Sequence, residues 1–554
     1  MCAQRILDTG NKIAIERPIS HVEANAFDLS HDVKLSTDLG YLTPACVMEV
    51  LPGDQFHITT ECLTRLQALI SPVMHRMNQR SEWFFVPTRL LWANWEDFIS
   101  PQVEGSTPPA MPYFANVPNY IGNLGDYLGL PAYANTDPDF QNLTKVCALP
   151  HYAVSKIISD WYTDEDLVSE GPPFFQAEDG DNSDHWGVLN AVSVRNKDRD
   201  YFTSAKPWAQ KGPAVTIPVG SAGTFPNVGI NGPSSPINTV LKATDNNGFA
   251  VFPAEQVFVA ATVQDHNYAS LGLTSDDVDA NAMIDPAASG WTADTSALDL
   301  SGLGGTIEEL RTAEALQKFL EADSRGGTRY IESMEQHWGV YSSDARLQRA
   351  EYIGSTFQPI VISEVLNTTG TSTAPQGAMA GHGIAVTHVN EPMHYRAEEH
   401  GYLICIASVI PVSGYYQGQP KMFNRFDRLD FPWPEFANLG EQPILNKEIY
   451  FQGDGVGPSG AQDDDTFGYL PRYTEMRMQG NRVAGDFRTT LDYWHLAYKF
   501  SELPALTQDF ILSNYEDNLE RIFATLDTTD HILMHWFHKI KCWRKLPRLV
   551  RPSI

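Results

Sequence analysis

Three histidines, His531, His535 and His538, stand at i, i+4 and i+7 near the end of the 554-residue chain. On a helix that spacing would turn three imidazoles one way, as a zinc site needs. On a strand His538 would face away from the other two. No Asp or Glu follows nearby to complete a ligand set, and spaced histidines alone are a weak motif, so no metal is expected here. The run Asp179-Gly180-Asp181-Asn182-Ser183-Asp184 has the look of a calcium loop. It lacks the glycine at the sixth position, and Asn190 stands where the twelfth-position acid belongs. Asp463-Asp464-Asp465 reads as a solvated turn. The GxSxG elbow, HExxH and the phosphate-cradling GxxxxGK[ST] loop are all missing. A literal GxGxxG at Gly455, Gly457 and Gly460 contains Pro458 and runs into the acidic stretch Asp463–Asp465, where a dinucleotide site needs a helix opening with little negative charge. Paired carboxylates such as Glu398-Glu399 are what any acidic chain supplies for solubility. Neither catalytic residues nor a cofactor is expected.

The most informative chemistry lies at the C-terminus. From His531 onward there is no acidic residue, whereas Lys539, Lys541, Arg544, Lys545, Arg548 and Arg551 are basic and Trp536, Phe537 and Trp543 interleave with them. Cations pair with phosphates and aromatic faces stack unpaired bases, so Lys539, Lys541, Trp543, Arg544, Lys545, Arg548 and Arg551 are candidate single-strand contacts. The competing reading pairs this tail with acidic surface on a neighbouring copy.

These groups sit in a chain with 39 Lys and Arg against 68 Asp and Glu, net −29. Such a chain repels nucleic acid on average, so any such contact must use a segregated basic patch. Self-association must likewise offset the repulsion with buried apolar area, for which 11% aromatic residues provide material. The six cysteines are scattered without a CxxC pair, which points away from a disulfide scaffold and towards folding in a reducing cytoplasm. Met1 to Ile15 is too polar for a signal peptide. The longest apolar stretch, Leu403 to Val412, is too short to span a bilayer and reads as a buried strand, so a soluble protein is expected.

The elements that must position these residues read mostly as strands. Asp32-Val33-Lys34-Leu35-Ser36 alternates as a half-buried strand does, Leu51-Pro52-Gly53-Asp54 turns, and Gln55-Phe56-His57-Ile58 opens another strand. Trp83-Phe84-Phe85-Val86, stopped by Pro87, predicts a strand buried on both faces. Val154, Ile157, Ile158 and Trp161 give Tyr152–Trp161 one apolar helical face. A second helix is predicted from Thr306 to about Asp323, opened by a Thr306/Glu309 capping box, striped with Ile307, Leu310, Ala313, Leu316 and Leu320, and stopped by Gly326-Gly327. Ile532, Met534, Trp536 and Ile540 share one parity, although Leu533 and Phe537 break the alternation of a final strand. Strands at both ends with helices and loops between fit a β-sandwich with enlarged connections. Val215–Gly305 stands apart: it is Gly-, Ser-, Asn- and Ala-rich, with nine acidic residues against Lys242 alone, net −8. It retains apolar strands such as Phe249–Phe252 and Val257–Ala261, and reads as an elaborated surface insertion.

Several stretches, in order, resemble the capsid proteins of the Microviridae, and within them those of the gokushovirus-like phages. They include Leu29-Ser30-His31-Asp32-Val33-Lys34, Glu49-Val50-Leu51-Pro52-Gly53-Asp54, Phe84-Phe85-Val86-Pro87-Thr88-Arg89-Leu90-Leu91-Trp92 and Asp160-Trp161-Tyr162-Thr163-Asp164-Glu165. Asp200-Tyr201-Phe202-Thr203-Ser204-Ala205 with Pro207-Trp208 and Gln210-Lys211-Gly212 is the strongest. Arg325-Gly326-Gly327-Thr328-Arg329-Tyr330, Leu445-Asn446-Lys447-Glu448-Ile449-Tyr450 and Asp492-Tyr493-Trp494-His495-Leu496 continue the series.

The resemblance implies a mainly β fold, an eight-stranded viral jelly roll with long loop and helical insertions, building a T = 1 shell of sixty copies around a circular single-stranded DNA genome. It divides the chain into an arm and first strands (1–92), inserted loops with a helix (93–214), the acidic insertion (215–305), a helix with loops (306–398), and the remaining strands with the basic tail (399–554). In gokushovirus-like relatives the insertion forms protrusions at the three-fold axes, a candidate for host contact. Implied partners are further copies of the chain, the DNA, other structural or scaffolding proteins and a host surface receptor, with no membrane insertion. The site is the virion, assembled in the bacterial cytoplasm. The charge adds a small basic packaging protein, because this tail supplies little of the positive charge DNA needs. A receptor-binding spike and a carbohydrate-active β-sandwich enzyme are the alternatives; the first favours fibrous repeats, which are not found, and the second an aromatic cleft with two carboxylates.

Overall fold

The computed structural model describes residues 23–100, 107–167 apart from 135 and 138, 176–213, 307–326, 329–366, 379–387, 392–453, 462–515 and 529–548, with short stretches between them. Eight strands carry the architecture: β1 His31–Thr37, β2 Thr43–Val50, β3 Gln55–Leu66, β4 Met77–Pro87, β5 Glu351–Leu366, β6 Met379–Thr387, β7 Gly401–Pro411 and β8 Ile532–Arg544. All pairings are antiparallel, in the orders β1-β8-β3-β6 and β2-β7-β4-β5. β5 joins the two sheets: Glu351–Ile360 pair with β4, and Val361–Leu366 pair with β6. Two four-stranded sheets in this order are a jelly roll, as expected. The short strands Asn25–Asp28 and Met393–Arg396 add to β8 and β3.

Between the sheets lies one apolar core, drawn from Phe56 and Ile58 of β3, Trp83 and Phe85 of β4, Leu403 and Cys405 of β7, and Trp536 and Ile540 of β8. A polar seam runs through it. Trp83 Nε1 donates to Thr60 Oγ1 at 3.1 Å, Thr64 Oγ1 donates to Gln79 Oε1 at 2.5 Å, and His538 Nε2 lies 3.1 Å from the Ala45 carbonyl. These contacts run from one sheet to the other, and their fixed geometry disfavours slipped registers. The turn from β1 to β2 passes through Gly40 at φ +88°, where a Cβ would stand 2.0 Å from the Ser513 carbonyl oxygen. Only glycine fits that approach.

The central strands β4 and β7 of the sheet β2-β7-β4-β5 are buried on both faces, as the run Trp83–Val86 predicted. Phe84 and Val86 of β4 and Ile404 and Ile406 of β7 point away from the sandwich into a second core with Trp92, Phe114, Tyr152 and Trp186. The helix Leu149–Ile157 supplies part of that cover and passes into a single π-helical turn, Ile158–Tyr162. The expected helix Tyr152–Trp161 is therefore present with both ends shifted by a few residues. The helix Ile307–Gly326 matches the second prediction; Thr306 and Gly327, its expected cap and stop, lie outside the described residues. Residues 306–398, expected as helix and loops, also carry β5 and β6. Glycines weaken the strand signal there: at Gly381 and Gly383 a Cβ would stand 2.4 Å from Ser71 or Leu66.

Between β7 and β8, the strands Glu441–Leu445 and Thr466–Pro471 pair over a third small core with Ala205, Ile449 and Phe510. The chain divides into two compact units, residues 1–212 with 320–554, and residues 213–319. The acidic insertion falls in the second. There the described strands pair Ile230–Asn231 with Thr292–Ala293 and Lys242–Thr244 with Asn281–Met283; Phe249–Phe252 and Val257–Ala261 lie outside the described residues. Among the described residues no helix is long and apolar enough to cross a membrane. Cys46, Cys62, Cys147, Cys405 and Cys542 are free thiols.

Candidate nucleic-acid interface

The C-terminal residues form no loose tail as far as Arg544: they are β8, held between β3 on one side and β1 with Asn25–Asp28 on the other. Burial alternates along it without a break. Ile532, Met534, Trp536, His538, Ile540 and Cys542 enter the sandwich, while Leu533, His535, Lys539 and Lys541 are exposed on the opposite face, with Phe537 and Trp543 half-buried. Leu533 and Phe537, which obscure the pattern in sequence, simply occupy the outer face.

That face is open, and it gathers the residues that sequence spacing keeps apart. Lys541 stands opposite His57 of β3, and Trp543 opposite Gln55. The His57 ring lies 4.4 Å from the Trp543 ring and 4.1 Å, edge-on, from His394. Desolvation, then the neighbouring His394 and Lys541, lowers the His57 pKa, which favours the neutral ring. Exposed Arg396 flanks the cluster through its pairing with Gln55, and exposed Arg65 lies at the far end of β3 on the same face. Lys34, Arg65, Arg396, Lys539 and Lys541 face Asp28, Asp32 and Glu61 on these outer positions. Five minus three leaves +2 on a chain of −29. An exposed aromatic patch of tilted and edge-on rings, edged by lysines, suits bases and phosphates.

The sequence candidates separate accordingly. Lys539, Lys541 and Trp543 share the face. Arg544 has the other parity and is a clamp: its Nε and Nη2 donate to Asp54 Oδ2 at 2.9 and 2.6 Å, and Nη2 to the Glu49 carbonyl at 3.1 Å. Asp54 is buried, so this pair ties the end of β8 to the turn before β3. Lys545 and Arg548 are exposed beyond the strand, and Arg551 lies outside the described residues. His57, His394 and Arg396 were missed by sequence reasoning, because only strand pairing brings them to β8; the alternation Gln55-Phe56-His57-Ile58 was their one signal.

The other motifs resolve into structure. His531 contacts Asp38 Oδ1 at 2.7 Å, His535 faces outward 3.0 Å from Asp32 Oδ1, and His538 is fully buried. Their strand spacing disperses them. Asp179 accepts from Trp92 Nε1 at 2.6 Å and from Asn94, and the Asn182 side chain closes the same turn. Asp463 accepts from the backbone of Gln452 and Gly453, Asp464 pairs with Lys447, and Glu399 pairs with Arg89. Gly455, Gly457 and Gly460 lie outside the described residues. Among the described residues no three His, Cys, Asp or Glu side chains gather as a metal site.

Comparison with known proteins agrees with this fold. Residues 16–554 match the family model described as "Capsid protein (F protein)". The chain is 34% identical over 600 aligned residues to capsid protein VP1 of Chlamydia phage 1, covering 97% of each chain. It is 35% identical over 539 residues to capsid protein VP1 of Bdellovibrio phage phiMH2K, with 94% of this chain and 93% of the relative covered. Capsid protein VP1 of Spiroplasma virus 4 is 28% identical over 563 residues, at 97% and 96% coverage.

Proposed function

The chain belongs to the capsid protein (F protein) family, and on that premise we propose that it builds a T = 1 shell around a circular single-stranded DNA genome, with the outer face of β1-β8-β3-β6 turned to the DNA. It is a phage major capsid protein, a structural component of the virion rather than an enzyme, and it self-assembles. The observation that supports the DNA-facing assignment is the juxtaposition of Lys539, Lys541 and Trp543 with His57 and His394 on one open sheet face. A net charge of −29 per copy leaves that patch too weak to neutralise a genome. A separate small basic packaging protein therefore belongs to the particle. The acidic insertion 215–305 is the proposed protrusion and host-contact element. A host surface receptor and other structural or scaffolding proteins are the capsid protein's further proposed partners.

The test is fluorescence-anisotropy titration of the unassembled subunit with a labelled thymidine oligonucleotide at several salt concentrations. Substituting Lys539→Ala with Lys541→Ala is expected to weaken binding and flatten the salt slope by about 0.7 for each phosphate that is no longer neutralised. Trp543→Ala is expected to cost about 1–3 kcal/mol with the slope unchanged. Variants that bind like the parent at every salt would remove this face from the DNA contact.

A further inference from the structure

The segment from Pro420 to Gly440 is a surface loop whose polar groups are largely engaged in hydrogen bonds and ion pairs. Arg425 pairs with Glu475 at 3.1 Å with both side chains nearly buried, and Glu475 also accepts from Gln442 Nε2. Asp430 accepts from the backbone amides of Phe426 and Asp427, Trp433 Nε1 donates to the Arg428 carbonyl, and Lys421 Nζ donates to the Pro443 carbonyl at 3.0 Å. Two prolines, Pro432 and Pro434, stiffen the path further.

Six of its large apolar side chains point out. Phe426 is 86% exposed, and Met422, Phe423, Leu429, Phe431 and Leu439 are each 51–59% exposed. Together they present roughly 600 Å² of apolar surface, against the ~800 Å² per partner of a standard interface. A rigid loop that shows aromatic side chains to water gives up little entropy on docking, which is the signature of a preformed contact.

We propose that this loop is a subunit–subunit contact whose occupant is a second copy of this chain, an inference that rests on the capsid reading. Charge selects that occupant. From Lys421 to Leu439 three bases (Lys421, Arg425, Arg428) meet three acids (Asp427, Asp430, Glu435), net zero, on a chain of −29. Two copies repel on average, and here they can meet without that cost. An anionic lipid surface would recruit free cations, yet Arg425 is paired with Glu475 and Lys421 lies 3.5 Å from Glu448.

The experiment compares free subunits with assembled shells of the full-length wild-type protein by hydroxyl-radical footprinting read by mass spectrometry. Met422 and Phe426 are expected to react in free subunits and to be protected at least fivefold in shells. The double variant Phe426→Asp, Leu429→Asp, checked for native circular dichroism, is expected to stay as soluble subunits in sedimentation runs where the wild type forms shells. Equal reactivity of Met422 and Phe426 in both states would overturn the assignment while leaving the capsid reading intact. So would normal shells from the variant, including shells that have lost a coexpressed phage protein or a vesicle-binding activity. A wild-type chain that forms no shells, alone or with the other phage proteins, would sink both readings.

Discussion

Substituting Trp83→Ala is expected to lower the unfolding free energy of the isolated subunit by about 3–5 kcal/mol, the range for removing a fully buried aromatic side chain. Trp83 has no exposed surface, and its indole fills the space between the sheets from the middle of β4. Its Nε1 hydrogen bond to Thr60 crosses the sandwich, and its ring meets His538 edge-on with centroids 5.3 Å apart. Alanine would remove the packing and strand the Thr60 hydroxyl together. Trp83→Phe separates the two contributions, because it keeps most of the volume and removes only the bond, at about 1–2 kcal/mol. Adding Thr60→Val to Trp83→Phe should cost less than the two single changes summed, since it removes the unpaired partner. Urea melts followed by far-UV circular dichroism measure all of these. A Trp83→Ala subunit that melts within about 1 kcal/mol of the parent would mean that β3 and β4 are not packed as described.

The strands whose faces differ were readable from the chain, and those whose faces match were readable only as apolar runs. Asp32–Ser36 alternates because β1 has one wet side, and Trp83–Val86 is continuous because β4 has a core on each side. β5 and β6 escaped because Gly354, Gly381 and Gly383 interrupt their patterns where backbones or bulky side chains pass close by. The eight-stranded jelly roll came from ordered motif resemblance; no local periodicity reports that β8 lies between β1 and β3, some 500 residues away in sequence.

The same separation limited the site. Composition singled out Lys539, Lys541 and Trp543 as candidates, because an acid-free stretch stands out in an acidic chain. It could not tell that Arg544, one residue further, is tied to Asp54, because parity and a turn contact decide that. Nor could it bring in His57 and His394, whose ring contacts exist only through antiparallel registers.

Acidification is expected to destabilise the subunit steeply between about pH 6.5 and pH 4. His75, His151 and His538 are all buried or nearly so, and desolvation is the largest cause pushing each pKa down to about 4. For His538 the nearby His31 lowers it further, and the contacts of His75 with the Val412 carbonyl and of His538 with the Ala45 carbonyl oppose the shift only in part. The unfolded chain takes up protons at these sites as the pH falls through 6.5, whereas the folded chain does not until about 4. Stability from the three neutral histidines is therefore complete above pH 6.5 and is lost on the way down, by about 1.4 kcal/mol per pH unit for each, or on the order of 3 kcal/mol each across the window. Burial raises Asp344, Glu351 and Glu441, which work in the opposite direction and offset part of this loss. His151 packs between Phe114 and Trp186, with ring centroids 5.3 and 5.1 Å away, so His151→Phe fits the same slot. That variant should flatten the slope of unfolding free energy against pH by about one histidine's share, near 1.4 kcal/mol per unit at pH 5. Urea melts of the unassembled subunit at pH 7.5, 6.0 and 5.0 give the slope directly. A parent whose stability is flat across that range would show that these histidines are protonated, or hydrated, in the folded protein.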